Sequence, residues 1–281
     1  MNQSYTQDQY MKELVAMALA EDAGNEGDVT SQAIFQDEQD TFVLYVKQPG
    51  VLCGQTVFQE VFRQVDPDVQ AVFSCGDGAQ LVPGQSVASV SGRVLSILTA
   101  ERTAINFLAL LSGIATRARL FADRAGDRAV ILDTRKTLPG FRELAKYAVT
   151  CGGAANHRRG LYDMVLIKDN HIDAAGGITP AVGRIRERWG DRFPVEVEAR
   201  NLREVEEALE CSVDRIMLDN MDCGVMRQAV SLVSGRSELE ASGNITLERV
   251  EDVSRTGVDF ISVGEITHSV TSLDFSLKRG V

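Results

Sequence analysis

Beyond residue 112, short apolar runs alternate with segments in which apolar residues recur at helical spacing. The runs are four to six residues long and predict strands, and the periodic segments between them predict amphipathic helices. The predicted strands cover residues 129–132, 163–167, 194–198, 213–218, 238–241 and 258–263. Strands that alternate with helices in this way build βαβ units and therefore a parallel sheet.

The residues that follow these strands distinguish an open sheet from a barrel. Every predicted strand ends in residues that can carry chemistry, whereas an open sheet concentrates them near one switch point. Polar residues that converge from the ends of all strands are typical of an α/β barrel with its site at the carboxyl-end face. We therefore expect a six-stranded α/β barrel, open or closed. The strand ends are Asp133–Lys136, Lys168–His171, Glu198, Asp219–Asn220, Ser242–Asn244 and Gly264–Glu265.

The first 112 residues follow a different pattern, in which one helix precedes several strands. The predicted apolar face of that helix comprises Tyr10, Leu14, Met17 and Ala18. Turn signals separate predicted strands at 41–47, 69–74 and 86–98, and a helix is predicted over Thr99–Leu111. Residues 272–277 alternate like a strand and are expected to return to this unit. The predicted domains are 1–112, joined by a strand within 271–281, and 113–270.

The composition is that of an ordinary soluble globular protein, because 44% of the 281 residues are hydrophobic and 25% are charged. The polar start of the chain predicts no signal peptide. The longest apolar stretch, residues 105–115, is shorter than a membrane span. Five widely spaced cysteines without a Cys-x-x-Cys pair argue against a disulfide framework and against structural zinc. We therefore expect a reduced, cytoplasmic protein without a membrane partner.

The formal net charge of −11 argues against nucleic acid and anionic membranes as partners. The charge is nevertheless uneven. Residues 102–168 hold 12 lysines and arginines against 5 acids, a net charge of +7, and the rest of the chain carries −18. A basic segment within an acidic protein predicts a local site for a small anion.

Cations of this segment gather near the first two barrel strands. Arg135 and Lys136 end the first strand, His157 and Arg158 precede the second, and Lys168 ends it. Arginine offers carboxylate and phosphate groups a planar fork, and lysine offers a point charge. So many cations in one pocket require an anionic ligand or facing acids. Lys136 also permits Schiff-base chemistry, although an imine-forming lysine needs few cationic neighbours.

Acidic strand ends supply the facing groups. Glu196 and Glu198 share one face of their strand and are expected to point to the barrel interior or its mouth. Glu198 and Asp219, at the ends of neighbouring strands, are candidates to hold Mg2+ directly or through water. Glu196 lies deeper, and we expect it to be a structural ion-pair partner.

The loops after the last two strands predict a phosphate site. Ser242–Asn244 precedes a helix predicted to begin near Thr246, and Gly264 leads into a segment that contains His268. Glycines at such positions let backbone N–H groups approach a phosphate, and barrels often place one after their final strands. His171 is explained equally well as a hydrogen-bonded structural residue.

Taken together, these residues resemble the quinolinate phosphoribosyltransferase family, over nearly the whole chain. The resemblance implies a six-bladed α/β barrel with an N-terminal α/β sandwich domain and an obligate homodimer. The motifs that carry it are Glu21–Gly24, Gly27–Thr30, Asp133–Arg142, Lys146–Val149, Gly152–Gly153, Asn156–Arg158, Gly160–His171, Val195–Glu198, Met217–Asn220, Glu240–Ile245, Ile261–Gly264 and Leu273–Leu277.

The activity implied by the resemblance is that of a glycosyltransferase of NAD biosynthesis. Phosphoribose would pass from phosphoribosyl pyrophosphate to quinolinate, with loss of CO2 and pyrophosphate, to give nicotinate mononucleotide. Lys136, Glu198 and Asp219 would be catalytic, and Glu198 and Asp219 would hold Mg2+. Arg102 would come from the partner subunit. The implied substrate-binding residues are Arg102, Arg135, Lys136, His157, Arg158, Lys168, Glu198, Asp219, Ser242, Gly243, Gly264 and His268.

Three alternatives stay open at this point. The molybdenum-transport-associated paralogues share the barrel and the Thr134–Lys136 segment but alter the Lys-Asp-Asn-His element, which is intact here as Lys168–His171. A class I aldolase-like lyase would use Lys136. A metabolite-binding barrel without activity fits less well, because every strand end carries polar residues.

Overall fold

The computed structural model describes residues 7–280, so the first six residues of the polar start and Val281 lie outside it. In chain order the elements are α1 (Gln7–Ala23), α2 (Val29–Ile34), β1 (Gln39–Val46), β2 (Gly50–Val51), α3 (Gln55–Val65), β3 (Gln70–Phe73), β4 (Gln80–Leu81), β5 (Ser86–Arg93), α4 (Val94–Ala125), β6 (Val130–Leu132), α5 (Arg142–Cys151) and β7 (Val165–Ile167). They continue with α6 (Asp169–Ala175), α7 (Ile178–Trp189), β8 (Val195–Ala199), α8 (Leu202–Glu210), β9 (Arg215–Asp219), α9 (Cys223–Val233), β10 (Glu238–Ser242), α10 (Val250–Ser254), β11 (Phe260–Ser262), α11 (Glu265–His268) and β12 (Phe275–Arg279).

The described residues form two compact units. The first unit holds the residues up to 117 together with 143–153 and the segment from 270 onward, and the second holds 118–142 and 154–269. The observed division differs from the predicted one at 112/113 in two respects. The boundary falls inside α4, and most of α5 belongs to the first unit although the flanking chain does not. Such an exchange depends on contacts between distant segments, which periodicity does not show.

The first unit is built on an antiparallel sheet of four strands in the order β12-β1-β5-β3. The last strand, β12, pairs with β1 in a register that sets Phe275 opposite Val46. Helix α3 packs against β3, and the ring of Phe58 meets that of Phe73 edge-on, with 5.3 Å between centroids. The core of this unit therefore lies between the sheet and α3.

The helix α1 is rotated relative to its predicted face. Met11 and Val15 are buried, whereas Met17 is 66% exposed. The helix packs against α3, and this partner selects which of two adjacent apolar stripes is covered. Spacing alone predicts the helix but does not choose between the stripes.

The apolar run 86–98 divides differently from the prediction. It is a strand only to Arg93, and helix α4 begins at Val94 rather than at Thr99. The buried residues Val94, Ile97 and Ala100 follow helical spacing. The helix continues past Leu111, and Gly113 allows it to approach the chain near β12, because a Cβ there would lie 2.4 Å from the carbonyl oxygen of Thr271.

Helix α4 is also long and apolar enough to cross a membrane, judged by length and composition alone. The apolar stretch 105–115 covers only part of this helix, because α4 extends beyond both ends of the stretch. However, 61% of its apolar window is buried inside the structure, as in the core helix of a soluble protein.

The second unit contains six parallel strands in the order β6-β11-β10-β9-β8-β7, which confirms the predicted α/β architecture. Each strand overlaps its predicted range. Helix α8 packs against β8 and β9, and all five residues of β8 are buried, as expected for a strand covered on both faces. Ala155, in the segment before β7, forms a parallel bridge to Leu132 of β6. The carboxyl ends of the six strands therefore share one edge of the sheet.

Candidate active site

A cavity of about 740 Å³ opens at the carboxyl ends of the six parallel strands. Residues from the ends of all six strands line it, which is the arrangement that the polar strand ends predict. The lining includes eleven of the twelve residues that the sequence suggests for substrate binding: Arg135, Lys136, His157, Arg158, Lys168, Glu198, Asp219, Ser242, Gly243, Gly264 and His268. The twelfth, Arg102, is exposed on α4 in the first unit.

Lys136 is held by the loop that follows β11. Its backbone carbonyl accepts a hydrogen bond from the hydroxyl of Thr267 at 2.8 Å, and its backbone N–H donates to Thr134 Oγ1 at 3.1 Å. Gly264 gives the lysine side chain room, because a Cβ at that position would lie 3.2 Å from Lys136 Cδ. The backbone of Lys136 is therefore fixed at the cavity, and its side chain is exposed there.

The guanidinium groups of Arg135 and Arg158 strengthen the positive field of the cavity. Burial and the charge of Arg135 lower the pKa of Arg158. The Arg158 side chain is oriented by donation of Nη1 to the carbonyl of Met164 at 3.2 Å. Two guanidinium groups held near each other create a site that favours an anion with several oxygens.

His157 lies at the floor of the cavity and contacts two buried carboxylates. Its Nε2 atom lies 3.0 Å from Glu196 and 3.4 Å from Glu240. Burial alone would lower the pKa of His157, but hydrogen bonds and charge from the two glutamates raise it to about 9. The N–H of Arg158 donates to Nδ1 at 2.7 Å, which favours the neutral ring and opposes this rise. Both ring nitrogens are therefore engaged inside the protein.

Glu198 and Asp219 end adjacent strands and face the basic side of the cavity. Lys168 Nζ lies 3.4 Å from a carboxylate oxygen of Glu198. Burial raises the pKa of Glu198, Lys168 opposes this rise, and the charge of Asp219 adds to it. Two neighbouring carboxylates, one of which raises the pKa of the other, provide oxygen ligands for a hard cation. The residues present therefore fit a magnesium ion.

Asn220 and Asn244 contribute to the site, although the predicted set omits them. Both adopt a left-handed backbone, with φ of 54° and 51°, and Asn244 Nδ2 donates to Asn220 Oδ1 at 2.9 Å. Gly243 (φ 92°) lies against this pair, since a Cβ there would fall 2.2 Å from Asn220 Oδ1. A usable signal was present, because both asparagines belong to the polar segments, 219–220 and 242–244, that follow predicted strands.

One helix beside the phosphate-site candidates begins later than predicted, and a second, short helix carries His268. The helix after Ser242–Asn244 begins at Val250 rather than near Thr246, because a turn closes first on the carbonyl of Thr246. His268 ends α11, and its Nδ1 atom lies 2.7 Å from the hydroxyl of Ser269.

The third histidine has a structural role. His171 Nδ1 accepts a hydrogen bond from the backbone N–H of Lys168 at 3.0 Å and so forms part of the cap of α6. A further buried residue, Asp133, accepts the N–H of His157 at 2.8 Å. Asp133 thus fixes the segment that carries His157, a role that sequence reasoning did not assign to it.

Family models match nearly the whole chain. Residues 28–112 match the model described as quinolinate phosphoribosyl transferase, N-terminal domain, and residues 114–278 match the model of its C-terminal domain.

Named relatives and a solved structure agree with the family models. The chain is 45% identical to the nicotinate-nucleotide pyrophosphorylase [carboxylating], chloroplastic, of Arabidopsis thaliana, over 95% of this chain and 82% of that protein. It is 40% identical to the probable nicotinate-nucleotide pyrophosphorylase [carboxylating] of Bacillus subtilis, over 95% and 92%. The nicotinate-nucleotide pyrophosphorylase structure from Francisella tularensis superposes with a TM-score of 0.94 at 40% identity and covers 100% of both chains.

Proposed function

Because the chain belongs to the quinolinate phosphoribosyltransferase family, we propose that it transfers phosphoribose from phosphoribosyl pyrophosphate to quinolinate in NAD biosynthesis. The products would be nicotinate mononucleotide, CO2 and pyrophosphate. The observation that carries this proposal is the cavity itself, which gathers eleven of the twelve suggested residues at the strand ends. The relatives favour this reaction over a molybdenum-transport-associated protein or an aldolase-like lyase.

The cationic side of the cavity suits a dicarboxylate and a pyrophosphate. Arg135, Arg158 and Lys168 would hold the quinolinate carboxylates, and Lys136 would meet the departing pyrophosphate. His157 lines the cavity and would contact the substrate through its ring carbons, since both ring nitrogens are engaged inside the protein. Holding the pyridine nitrogen in line with the ribose C1 atom lowers the entropic part of the barrier. Placing cations at the leaving group stabilises the charge that develops there.

The acidic side of the cavity suits the ribose. Cleavage of the bond between C1 and pyrophosphate leaves positive charge on the ribose, and the carboxylates of Glu198 and Asp219 would stabilise it. The same two residues would hold Mg2+, which supplies positive charge to the pyrophosphate when it is bound. Once the ring nitrogen is ribosylated, its positive charge stabilises the electron pair left at C2 when CO2 departs, and C2 then takes a proton from water. The reaction therefore needs no covalent nucleophile.

The end of the cavity beside β10 and β11 suits the 5′-phosphate of the ribose. Ser242 and Gly243 would offer a hydroxyl and a backbone N–H, and Gly264 would offer a second backbone N–H. His268 is exposed beside them and would add a hydrogen-bond donor. Backbone N–H groups at such loops bind phosphate without a large side chain in the way.

The proposed working form is a cytoplasmic homodimer. Arg102 is the one suggested residue that does not line the cavity, so we assign it to the site of the partner subunit. All five cysteines are free thiols, which suits a reducing compartment.

The direct test supplies purified protein with Mg2+, quinolinate and phosphoribosyl pyrophosphate and measures nicotinate mononucleotide by mass spectrometry. Arg158→Ala should lower kcat/KM by about 100-fold, as for the loss of one charged hydrogen-bond donor at a transition state. Arg159→Ala is the matched control, since Arg159 is the exposed neighbour of Arg158 and does not line the cavity. Absence of product from folded protein contradicts the proposal, and borohydride trapping of a carbonyl compound on Lys136 would favour the lyase.

A further inference from the structure

Two cysteines and an aspartate that the proposed reaction does not use lie together in the first unit. The Sγ atoms of Cys53 and Cys151 and a carboxylate oxygen of Asp77 all lie within 4.8 Å of one another. They come from the turn between β2 and α3, the loop between β3 and β4, and the end of α5. The spacing of the cysteines along the sequence argues against structural zinc. It does not reveal this cluster, because only the fold brings the three residues together.

The backbone fixes the position of Cys53. Its N–H donates to Ser112 Oγ at 3.0 Å, and this hydroxyl donates in turn to the Cys53 carbonyl at 3.2 Å. The preceding residue, Leu52, bonds through its backbone to both Gly78 and Ala79. These contacts bring the buried thiol next to the loop that carries Asp77.

Hydrogen bonds also orient Asp77 before any ion binds. Its carboxylate accepts the N–H groups of Gly54 and Gln55 at 3.1 and 3.3 Å, and the hydroxyl of Tyr147 donates to it at 2.7 Å. Tyr147 lies one turn before Cys151 on α5 and therefore links two of the three groups. Carboxylate ligands of metal ions are typically held by such outer hydrogen bonds.

From this arrangement we propose that Cys53, Asp77 and Cys151 bind a divalent ion of the zinc type, with a fourth position open to water. Two sulfur atoms and one carboxylate oxygen favour zinc over magnesium. On binding, two S–H bonds break, two bonds form between sulfur and the ion, and two protons pass to water. Cys53 is buried whereas Asp77 and Cys151 are only half-buried, which leaves a path to solvent on their side.

A second cluster among the described residues differs in its charge balance. His157, Glu196 and Glu240 also lie within 4.8 Å of one another, but Arg215 already forms an ion pair with Glu240 at 3.3 Å. The donors that contact Asp77 are two backbone amides and a phenol, all of them neutral. Asp77 therefore still carries a negative charge that a bound cation would balance, whereas Arg215 already supplies a cation to the histidine cluster.

The test uses the whole protein, reduced and stripped with a chelator, in excess Mg2+ to occupy oxygen-ligand sites. Titration with Co2+ should give the absorption band of thiolate-bound cobalt with one ion per chain, and Zn2+ should displace it. Cys151→Ser and Asp77→Asn should each weaken zinc binding by more than about 10-fold, the loss that even an outer-shell change causes. Tyr147→Phe should weaken it by about 10-fold. Cys211→Ser, a half-buried cysteine outside the cluster, should leave binding unchanged.

Circular dichroism and thermal unfolding without metal identify any variant that fails to fold, and Tyr147→Phe keeps the test independent of the cysteines. The proposal is overturned if Co2+ produces no thiolate band or if Cys151→Ser binds zinc as the wild type does. It is also overturned if reduced protein binds no ion and mild oxidation joins Cys53 to Cys151, since the pair would then be redox-active thiols. None of these results depends on formation of nicotinate mononucleotide, so this site and the proposed reaction fail separately.

Discussion

The imidazole of His157 lies 3.0 Å from the carboxylate of Glu196, which belongs to strand β8 of the six-stranded sheet. Glu196 is therefore the structural ion-pair partner that its position on the strand predicts. Glu240 and Arg215 complete the cluster, in which the carboxylates of Glu196 and Glu240 are fully buried. Because buried charges are costly unless they are paired, each member depends on the others.

Replacement of the buried carboxylate of Glu240 should lower the free energy of unfolding far more than replacement of an exposed carboxylate on the same strand. Glu240→Gln removes the buried carboxylate that contacts both Arg215 and His157, and it leaves His157 with Glu196 alone. The free energy of unfolding should therefore fall by about 3 kcal/mol or more. Glu238→Gln is the matched control, because Glu238 contacts the same arginine at 2.9 Å but is 52% exposed. The free energy of unfolding of Glu238→Gln should fall by less than about 1 kcal/mol. Urea unfolding measures both, and equal losses would contradict the argument.

The same cluster predicts how stability depends on pH. In the folded protein the glutamates raise the pKa of His157 from 6.5 to about 9. The folded state then binds the proton more tightly than the unfolded chain, so the stabilisation is complete below pH 6.5 and is lost as the pH rises through about 9. The difference in Tm between wild type and His157→Gln should therefore shrink across this range. A difference that stays constant would show that the histidine does not carry the proton.

The strand ends of the candidate site follow from the sequence because each polar residue comes directly after an apolar run. Local periodicity carries that information, and it places Lys168 and Asp219 correctly at the cavity. The limits of this reasoning appear where one pattern fits two structures, as at Val94, which begins a helix inside an apolar run. They appear again where residues meet only through tertiary contacts, as Cys53 and Cys151 do.

The contact between Gly243 and Asn220 predicts a defect confined to the site. In Gly243→Ala the new Cβ would collide with Asn220 Oδ1, so the Asn220 side chain or the loop must shift, and the φ of 92° adds backbone strain. We expect the KM for phosphoribosyl pyrophosphate to rise by about 10-fold or more, since a small displacement of a binding loop is costly. Gly235→Ala is the control, because Gly235 also has positive φ, at 74°, but open space around it. It should cost about 1 kcal/mol of stability and leave KM unchanged.

The cap of α2 predicts a stability effect outside the site. Asp28 accepts the N–H groups of Thr30 and Ser31 at 3.1 and 2.9 Å. Asp28→Ala should lower the free energy of unfolding by about 1 kcal/mol. Asp28→Asn should retain most of the stability of the cap, because asparagine caps equally well. Hydrogen bonds from Ser31 lower the pKa of Asp28, so its contribution is present above the ordinary pKa and is lost as the pH falls through the lowered one. Identical losses in the two variants would assign the effect to something other than the cap.

Mixing two inactive variants tests whether Arg102 acts across the proposed dimer. Arg102→Ala and Lys136→Ala homodimers should each be inactive, because every site lacks one cation. In a heterodimer, one site combines Lys136 of one chain with Arg102 of the other, so random exchange should restore about one quarter of wild-type activity. Native mass spectrometry provides the control by showing that heterodimers have formed. If they form and no activity returns, Arg102 does not serve the partner's site.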